Sequence, residues 1–465
     1  MSKPYTPRPY AELAMAHFRD NPRCALWAGM GMGKSVMVLT HLDLCYRVWG
    51  DSHPTLILGP LRVAGDVWPR EAAKWDHLRG LDVIPVVGTE AERIAALRLD
   101  APIYTTNYEN LPWLRGHLGG RWPFRRIVPD EATRLKNFRL RQGGARAAVL
   151  GAIAHTEITE VIELTGTPSP NGLKDLWGQM YFLDAGERLG RSYSGFEERY
   201  FAWRWVKDAL SKKSELQQIM LPHAYDLIHE KLKGLCLTLD PRDWFDLHEP
   251  IVNVIEVDMP PPARRVYKDL EKDMFARIGE HEVEAFNAAA LTMKCLQVAN
   301  GAVYTDEKAQ AWAPLHDAKL EALDSILEET GAPVLVAYHF RSDRERILKR
   351  FPDALDIATK AGLAAAQRGE GRLWLGHPAS IGHGIDGLQE HCNTVAVFGH
   401  WWDLEQFDQL FERVGPVRQM QAGKDRAVTL HLIVARKTID TAVVARRGSK
   451  RGVQDALLNY MKGTP

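Results

Sequence analysis

Cysteine is scarce and scattered. The 465 residues hold five, Cys24, Cys45, Cys236, Cys295 and Cys392, odd in number and with no CxxC pair. That argues against a disulfide framework or a zinc site and fits a reducing cytoplasm. An excess of one charge is also lacking: 59 Lys plus Arg balance 59 Asp plus Glu. A globally basic coat for nucleic acid is therefore excluded. A local basic groove is not, because binding depends on where charge sits. Apolar runs are broken by charge well before the roughly 18 residues of a membrane span, so none is expected. The first residues, Met-Ser-Lys-Pro-Tyr-Thr-Pro-Arg, lack the apolar stretch of a signal peptide. No internal repeat or low-complexity segment occurs. What is present is ordinary globular material, 45% hydrophobic and 25% charged. At about 100–200 residues per domain, the length predicts two to four domains.

Over the first 170 residues, short apolar runs alternate with amphipathic stretches. The runs are Cys24–Ala28, Thr55–Leu58, Ile103–Thr105 and Val161–Leu164, each bounded by Gly, Pro, Asn or Asp. Candidate helices such as Ser35–Arg47 and Val67–His77 lie between them. This order predicts an α/β fold with a parallel sheet covered on both faces. From about Leu173 to Leu239 the pattern reads as mainly helical and rich in aromatics, including Phe196, Tyr200, Phe201, Trp203 and Trp205, which are expected in a core or a helical insertion, the alternative being a ligand cage. Alternation returns at Ile251–Val257, and a new α/β series runs through Pro333–Tyr338, Leu373–Leu375, Thr394–Phe398 and Val428–Val434. A domain boundary is expected near 240–250.

Ala28-Gly29-Met30-Gly31-Met32-Gly33-Lys34-Ser35 follows an apolar run and precedes a helical one. Glycines let the backbone curl so that its N–H groups face an anion, and the helix dipole adds positive potential. Lys34 can then reach β- and γ-phosphates and Ser35 can ligate magnesium. The strict pattern starts on Gly, where Ala28 stands here; the bland alternative is a Gly-rich turn. Ile127-Val128-Pro129-Asp130-Glu131 ends an apolar run in two acids. Asp130 would hold the magnesium shell and Glu131 would polarise the attacking water. An isolated Asp-Glu pair is usually a solvated turn, but after a phosphate loop it reads as the acidic half of a nucleotide site. The hydroxyls and Gly of Leu164–Gly172 could sense a γ-phosphate, or form only a strand-to-loop turn.

The order of these motifs resembles superfamily 2 helicases, in particular the Swi/Snf-like branch of duplex-DNA translocases. Gly31–Ser35 looks like motif I. Leu58-Gly59-Pro60-Leu61-Arg62-Val63 with Trp68 looks like motif Ia, and Asn107–Asn110 like the segment after it. Asp130-Glu131-Ala132-Thr133 resembles motif II, and Arg134-Leu135-Lys136-Asn137 its extension in this branch. Leu164–Asn171 resembles motif III, Leu335–Tyr338 motif IV, and Ser380–Gly384 through Gln389 motif V. Gln409, Arg413 and Gln419 fit motif VI. The compact form, with Pro168–Leu173 and Asp175-Leu176-Trp177, is similar to versions encoded by bacteriophages.

The resemblance covers about residues 8–460. It implies two RecA-like parallel-sheet domains in tandem: residues 1–240, including a helical insertion at about 173–239 after motif III, and residues 250–465. It implies ATP with magnesium held in the cleft between them. Gly29 to Ser35, Arg8, Tyr10, Gly384 and Gln409 would touch nucleotide, and Ser35 and Asp130 would hold the metal. Lys34, Asp130, Glu131, Arg413 and Arg418 would carry catalysis, with Arg413 the arginine finger that stabilises transition-state charge.

Four departures stand out. Ala11 follows Arg8-Pro9-Tyr10 where the family often has an adenine-reading Gln. Thr133 replaces the His of motif II. Motif V has an extra residue around Asp386-Gly387. The second arginine position of motif VI is Pro416, with Arg418 two residues on.

Arg134, Lys136, Arg139, Arg141 and Arg146 fall within thirteen residues containing no acid. They and Arg62 are candidate phosphate contacts, the alternative being a solvated loop. The basic stretch Arg446–Arg451 is by default a solvated helix, the alternative being DNA contact. His383 and His400-Trp401-Trp402 are not at ligand spacing, and the tryptophans are expected to pack. No recognition helix or zinc finger is found, so no sequence specificity is expected. The expected activity is ATP-dependent translocation on duplex or branched DNA, by a monomer in the cytoplasm, which is the host's if the chain is phage-encoded. Replication or recombination proteins of a phage are the expected partners. A non-translocating DNA-binding adaptor with a degenerate ATP switch and an RNA helicase are the alternatives.

Overall fold

The structure is a computed structural model that describes residues 2–140, 145–207, 214–279, 285–306, 309–381, 384–424 and 426–449. The chain divides into two compact units between Trp244 and Phe245. Each is built on a RecA-like parallel sheet.

The first unit contains β1 (Arg23–Ala28), β2 (Thr55–Gly59), β3 (Val83–Pro85), β4 (Ile103–Asn107), β5 (Arg126–Pro129), β6 (Glu160–Thr165), β7 (Phe201–Lys207), β8 (Ser214–Met220) and β9 (Cys236–Leu239). Seven of these form one sheet in the order β3-β4-β2-β5-β6-β1-β9. Every pair in it is parallel. The central strands read as unbroken buried runs, Thr55–Gly59 among them, because helices cover both faces. Arg23 ties the sheet to its helices. Its guanidinium donates to the carbonyls of Ala154 (2.8 Å), Ile158 (2.9 Å), Phe182 and Leu183 (2.9 Å), satisfying acceptors that two helix ends leave open.

The stretch 173–239 departs from the helical reading. Helices do form at Lys174–Asp184, Tyr193–Tyr200 and Ala224–Leu232. Between them, however, β7 and β8 pair as an antiparallel ribbon. The stretch then ends in β9, which joins the main sheet beside β1. The ribbon escapes a period-two reading because Ala202 and Val206 put apolar residues on both faces of β7. The four-residue β9 sits at the sheet edge and buries only its two ends. Phe196, Tyr200 and Phe201 are core as expected, whereas Trp203 and Trp205 are exposed.

Glu163 lies in the middle of β6, fully buried, and neither carboxylate oxygen has a hydrogen-bond partner among the described residues. Burial pushes its carboxyl well above the ordinary range, against the attraction of Arg23. The folded chain thus binds a proton that the unfolded chain has released. Stability from this group is full below the ordinary carboxylate pKa and falls as pH rises above it. Glu163→Gln is therefore expected to raise the melting temperature at pH 8, with a gain that shrinks toward pH 5. Thermal unfolding across pH checks this; a pH-independent difference would remove the proton from Glu163.

The second unit contains β10 (Ile251–Val257), β11 (Ala302–Tyr304), β12 (Trp312–Pro314), β13 (Val334–Ala337), β14 (Leu355–Asp356), β15 (Leu373–Gly376), β16 (Thr394–Val397) and β17 (Thr429–Ala435). Six form a sheet in the order β10-β17-β16-β13-β15-β14, with all pairs parallel. Its interior holds an ionic cluster. Lys319 is wholly buried and contacts Asp440 Oδ2 (2.7 Å), Asn300 Oδ1 (2.8 Å) and the Phe398 carbonyl (3.1 Å).

The basic C-terminal stretch also departs from expectation. Arg447 is buried. It donates to His400 Nδ1 (2.9 Å) and lies over the rings of Phe407 (4.2 Å) and Trp401 (5.4 Å). It packs the core instead of meeting solvent. His400 is held neutral, its pKa lowered to about 3 by burial. Trp401 packs, as its sequence position suggests. His383, Gly382, Lys450 and Arg451 lie outside the described residues.

Candidate nucleotide site and basic surface

In parallel α/β sheets, ligands collect at the carboxyl ends of the strands. Here β5, β6 and β1 are adjacent, and the three motifs leave from their carboxyl ends. After β1 the chain turns through Gly31 and Gly33, both left-handed at φ 80° and 76°. Gly33 starts the helix Lys34–Arg47 from a conformation that disfavours a side chain. Lys34 folds back to donate to the carbonyls of Ala28 (2.8 Å) and Gly29 (3.4 Å). Ser35 follows in the first turn of the helix. A Cβ on Gly166, just after β6, would lie 3.8 Å from Lys34 Nζ, so the motif III turn adjoins the loop.

Asp130 continues β5. Its N–H donates to the Leu58 carbonyl (2.7 Å), and it bridges to Leu164 of β6. Its carboxylate is buried, accepting from the Trp68 indole (3.0 Å) and from the Glu131 N–H (3.1 Å). The Tyr108 hydroxyl donates to the Asp130 carbonyl (3.0 Å). Burial raises the Asp130 pKa, and the nearby Lys34 charge opposes that rise. Glu131 stands in the left-handed region at φ 57°, which costs about 1–2 kcal/mol for a residue with a Cβ. Sequence reasoning grouped Trp68 and Tyr108 with motif segments and gave them no part in holding Asp130. No spacing rule signals such a contact across 62 residues.

The site suits a magnesium triphosphate. The Lys34 ammonium sits at the loop, on the Ala28 and Gly29 carbonyls, and the Asp130 carboxylate is fixed and close enough to feel its charge. Among the described residues no group of three or more His, Cys, Asp or Glu could hold a metal alone. Magnesium here would need Ser35, Asp130 and phosphate oxygens together. Arg8 precedes the helix Pro9–Asp20 and is exposed. Tyr10 is buried, edge-on to Trp244 at 5.5 Å.

In the second unit, the motif V and VI residues converge. Arg413 is buried and donates to the carbonyls of Gln409 (3.0 Å) and Ile385 (2.9 Å). Gln409 is buried, its amide donating to Glu405 (3.3 Å). Gly384 is left-handed at φ 68°. Arg418 pairs with Asp386, so the extra residue of motif V makes a turn through Gly387 (φ 88°) that presents an acid to this arginine. Pro416 opens the helix Pro416–Gln421, a position that proline favours. Gln419 is buried on the carbonyls of Cys392 (2.7 Å) and Val414 (2.9 Å).

Of the candidate phosphate contacts, Arg134 is exposed, 3.6 Å from Glu109, while Lys136 and Arg62 are half-buried. Arg139 is differently placed. Its guanidinium lies 3.2 Å over the Tyr193 ring and donates to the carbonyls of Phe138 (2.6 Å) and Lys136 (3.1 Å). Arg141 and the side chain of Arg146 lie outside the described residues. Gly178 presses the helix Lys174–Asp184 onto this basic turn; a Cβ there would meet the Leu135 carbonyl at 2.4 Å. No described helix is long and apolar enough to cross a membrane.

A glycine loop ending in Lys-Ser, with a buried strand-end acid beside it on a parallel sheet, defines a phosphate-loop ATPase of the helicase-like class. The family model for the SNF2-related domain matches residues 13–301, and the chain belongs to that family. "Putative protein p41" of Acyrthosiphon pisum secondary endosymbiont phage 1 is 49% identical over 463 residues, 99% of each chain. Protein CHROMATIN REMODELING 5 of Arabidopsis thaliana is 24% identical over 90% of this chain, which spans 25% of that relative's length. Among solved structures, the SWI2/SNF2 ATPase core of Sulfolobus solfataricus in complex with dsDNA is 19% identical. That match covers 98% of this chain and 94% of the other, with a TM-score of 0.43.

Proposed function

We propose that the chain is a magnesium-dependent, DNA-stimulated ATPase that translocates along duplex DNA and remodels or branch-migrates it. The observation that carries this reading is the convergence of Lys34, Asp130 and Gly166 at the carboxyl ends of β1, β5 and β6. Bound Mg–ATP supplies the phosphoryl group and neutralises part of its charge. Lys34 and the loop glycines bind phosphate, while Ser35 and Asp130 hold the metal. Trp68 and Tyr108 fix Asp130, and Glu131 orients the attacking water. Arg62, Arg134 and Lys136 contact DNA phosphates, so binding weakens steeply with salt. The role proposed is in phage DNA replication or recombination; full-length similarity to a phage-encoded protein supports only the phage setting. ATP hydrolysis titrated with duplex, single-stranded, forked and junction DNA at several salt concentrations tests the proposal. Absence of magnesium-dependent turnover under every condition would sink it.

Arg413 is assigned the cation that meets charge developing on the transferred phosphate. Arg413→Ala is then expected to slow turnover while nucleotide affinity stays nearly normal. A lower melting temperature with unchanged turnover per folded molecule would instead reduce Arg413 to its carbonyl bonds at Gln409 and Ile385. Those bonds, and Pro416 at the second arginine position, favour a second reading as a DNA-binding adaptor with a degenerate switch. Triplex displacement separates the two readings, because an adaptor binds DNA without displacing the third strand.

A further inference from the structure

The β7–β8 ribbon carries aromatic surface that no described residue of its unit covers. Trp203 is 63% exposed, Trp205 72% and Leu216 48%. The register pairs Trp203 with Gln218 and Trp205 with Leu216. Directly opposed residues in an antiparallel pair share a face, so both indoles and Leu216 form one open surface, with half-buried Gln218 at its base. The base of the ribbon is anchored. Phe201 is buried, Lys174 donates to Gln218 and to Glu197 (3.0 Å), and Leu221 N–H donates to the Tyr200 carbonyl (2.9 Å). Two indoles held outward on an anchored ribbon mark a binding surface.

Spacing and position identify the occupant. Alternate residues on a strand lie about 6.8 Å apart, twice the roughly 3.4 Å layer of a stacked base. The gap between the two indoles is thus about one base thick. The ribbon is also continuous with the basic turn assigned to DNA. Helix Tyr193–Tyr200 runs directly into β7, and its first residue, Tyr193, lies under the Arg139 guanidinium. Helix Lys174–Asp184, which supplies Lys174, lies against the carbonyls of Leu135 and Lys136.

We infer that Trp203 and Trp205 stack on an unpaired base where a duplex opens, making the ribbon a sensor of forks and junctions. This rests on the reading that the chain acts on DNA. Stacking does not select among bases, because each has an aromatic face. It discriminates an open base from a paired one, whose faces are covered by its neighbours.

The test uses the full chain and fluorescence anisotropy with labelled blunt duplex and forked DNA. The wild type is expected to prefer the fork. Trp203→Ala/Trp205→Ala is expected to lose on the order of 10- to 100-fold in fork affinity, with blunt-duplex binding and duplex-stimulated hydrolysis unchanged. Trp203→Phe/Trp205→Phe should keep most of the preference. Forks made abasic next to the junction should bring the wild type down to the alanine variant and leave that variant unmoved. Equal fork affinity of wild type and alanine variant overturns the inference. So does an equal loss on both DNAs, or a change confined to self-association in sedimentation, which would mark a protein-docking face. Absent duplex-stimulated hydrolysis counts against the translocase alone, since the ribbon is read out by binding.

Discussion

Glu131→Gln is expected to cut ATP turnover by about 10²–10⁴-fold, the usual contribution of a positioned general base or water-orienting group, while nucleotide affinity and melting temperature hardly change. The argument starts from the backbone. A left-handed φ of 57° at a residue with a Cβ is a local cost that a plain turn would avoid by placing glycine or asparagine there. The chain keeps glutamate. Its neighbour Asp130 is fixed by the Trp68 indole, the Leu58 carbonyl and the bridge to Leu164, so the direction in which residue 131 leaves the strand is fixed too. Gln preserves size and backbone preference but cannot accept a proton from water. Steady-state hydrolysis, calorimetric nucleotide binding and thermal unfolding on the same preparation check this. Normal turnover would remove Glu131 from the chemistry; weakened nucleotide binding would point to an electrostatic part in holding the ligand.

What could be read from sequence follows from how local each signal is. The phosphate loop is contiguous, its glycines and Lys34 lying within one turn of chain, and a strand before and a helix after complete the pattern. Asp130 and Glu131 are legible because a strand end puts both acids in one place. The groups that hold Asp130 are not. Trp68 and Tyr108 arrive from separate strand–helix connections, and only the strand order brings them together. The ribbon was misread because its aromatics resemble core when counted without knowing which face they occupy. Arg447 was misread for the opposite reason: a run of basic residues looks solvated, yet one member turns inward onto His400 and Phe407. Pro416 reads in sequence only as a missing arginine of motif VI; the helix that it opens is seen only in the fold.

Lys319→Ala is expected to cost the second unit about 3–5 kcal/mol, the range for removing one partner of a buried ion pair. Lys319 adjoins the apolar positions Leu320, Leu323 and Ile326 in sequence. In the fold it is wholly buried, and it ties Asp440 to Asn300 and to the carbonyl after β16. Burial pushes the Asp440 carboxyl up, but the Lys319 charge and the other polar partners outweigh it and hold the pKa below the ordinary value. That stabilisation is present above the unfolded carboxylate pKa and is lost as pH falls through the folded one. Without Lys319 the buried charge of Asp440 is uncompensated at neutral pH and relieved only by protonation. Asp343, raised to about 6 by burial and bonded to Asn300 (2.9 Å), also loses the lysine's attraction and should hold its proton to higher pH. Calorimetry on the full chain should therefore show a transition lowered by roughly 6–20 °C at pH 7, with a smaller shift toward acid. Lys319→Met/Asp440→Leu should recover part of the loss, because it removes the uncompensated charge of Asp440, while Asp343, Asn300 and the Ala435 N–H still lack their partners. A single variant within about 2 °C of wild type at neutral pH would mean that water reaches the cluster and screens it. The tie between the sheet and its helices would then rest on the apolar packing of Val336, Phe398 and Ile433 instead.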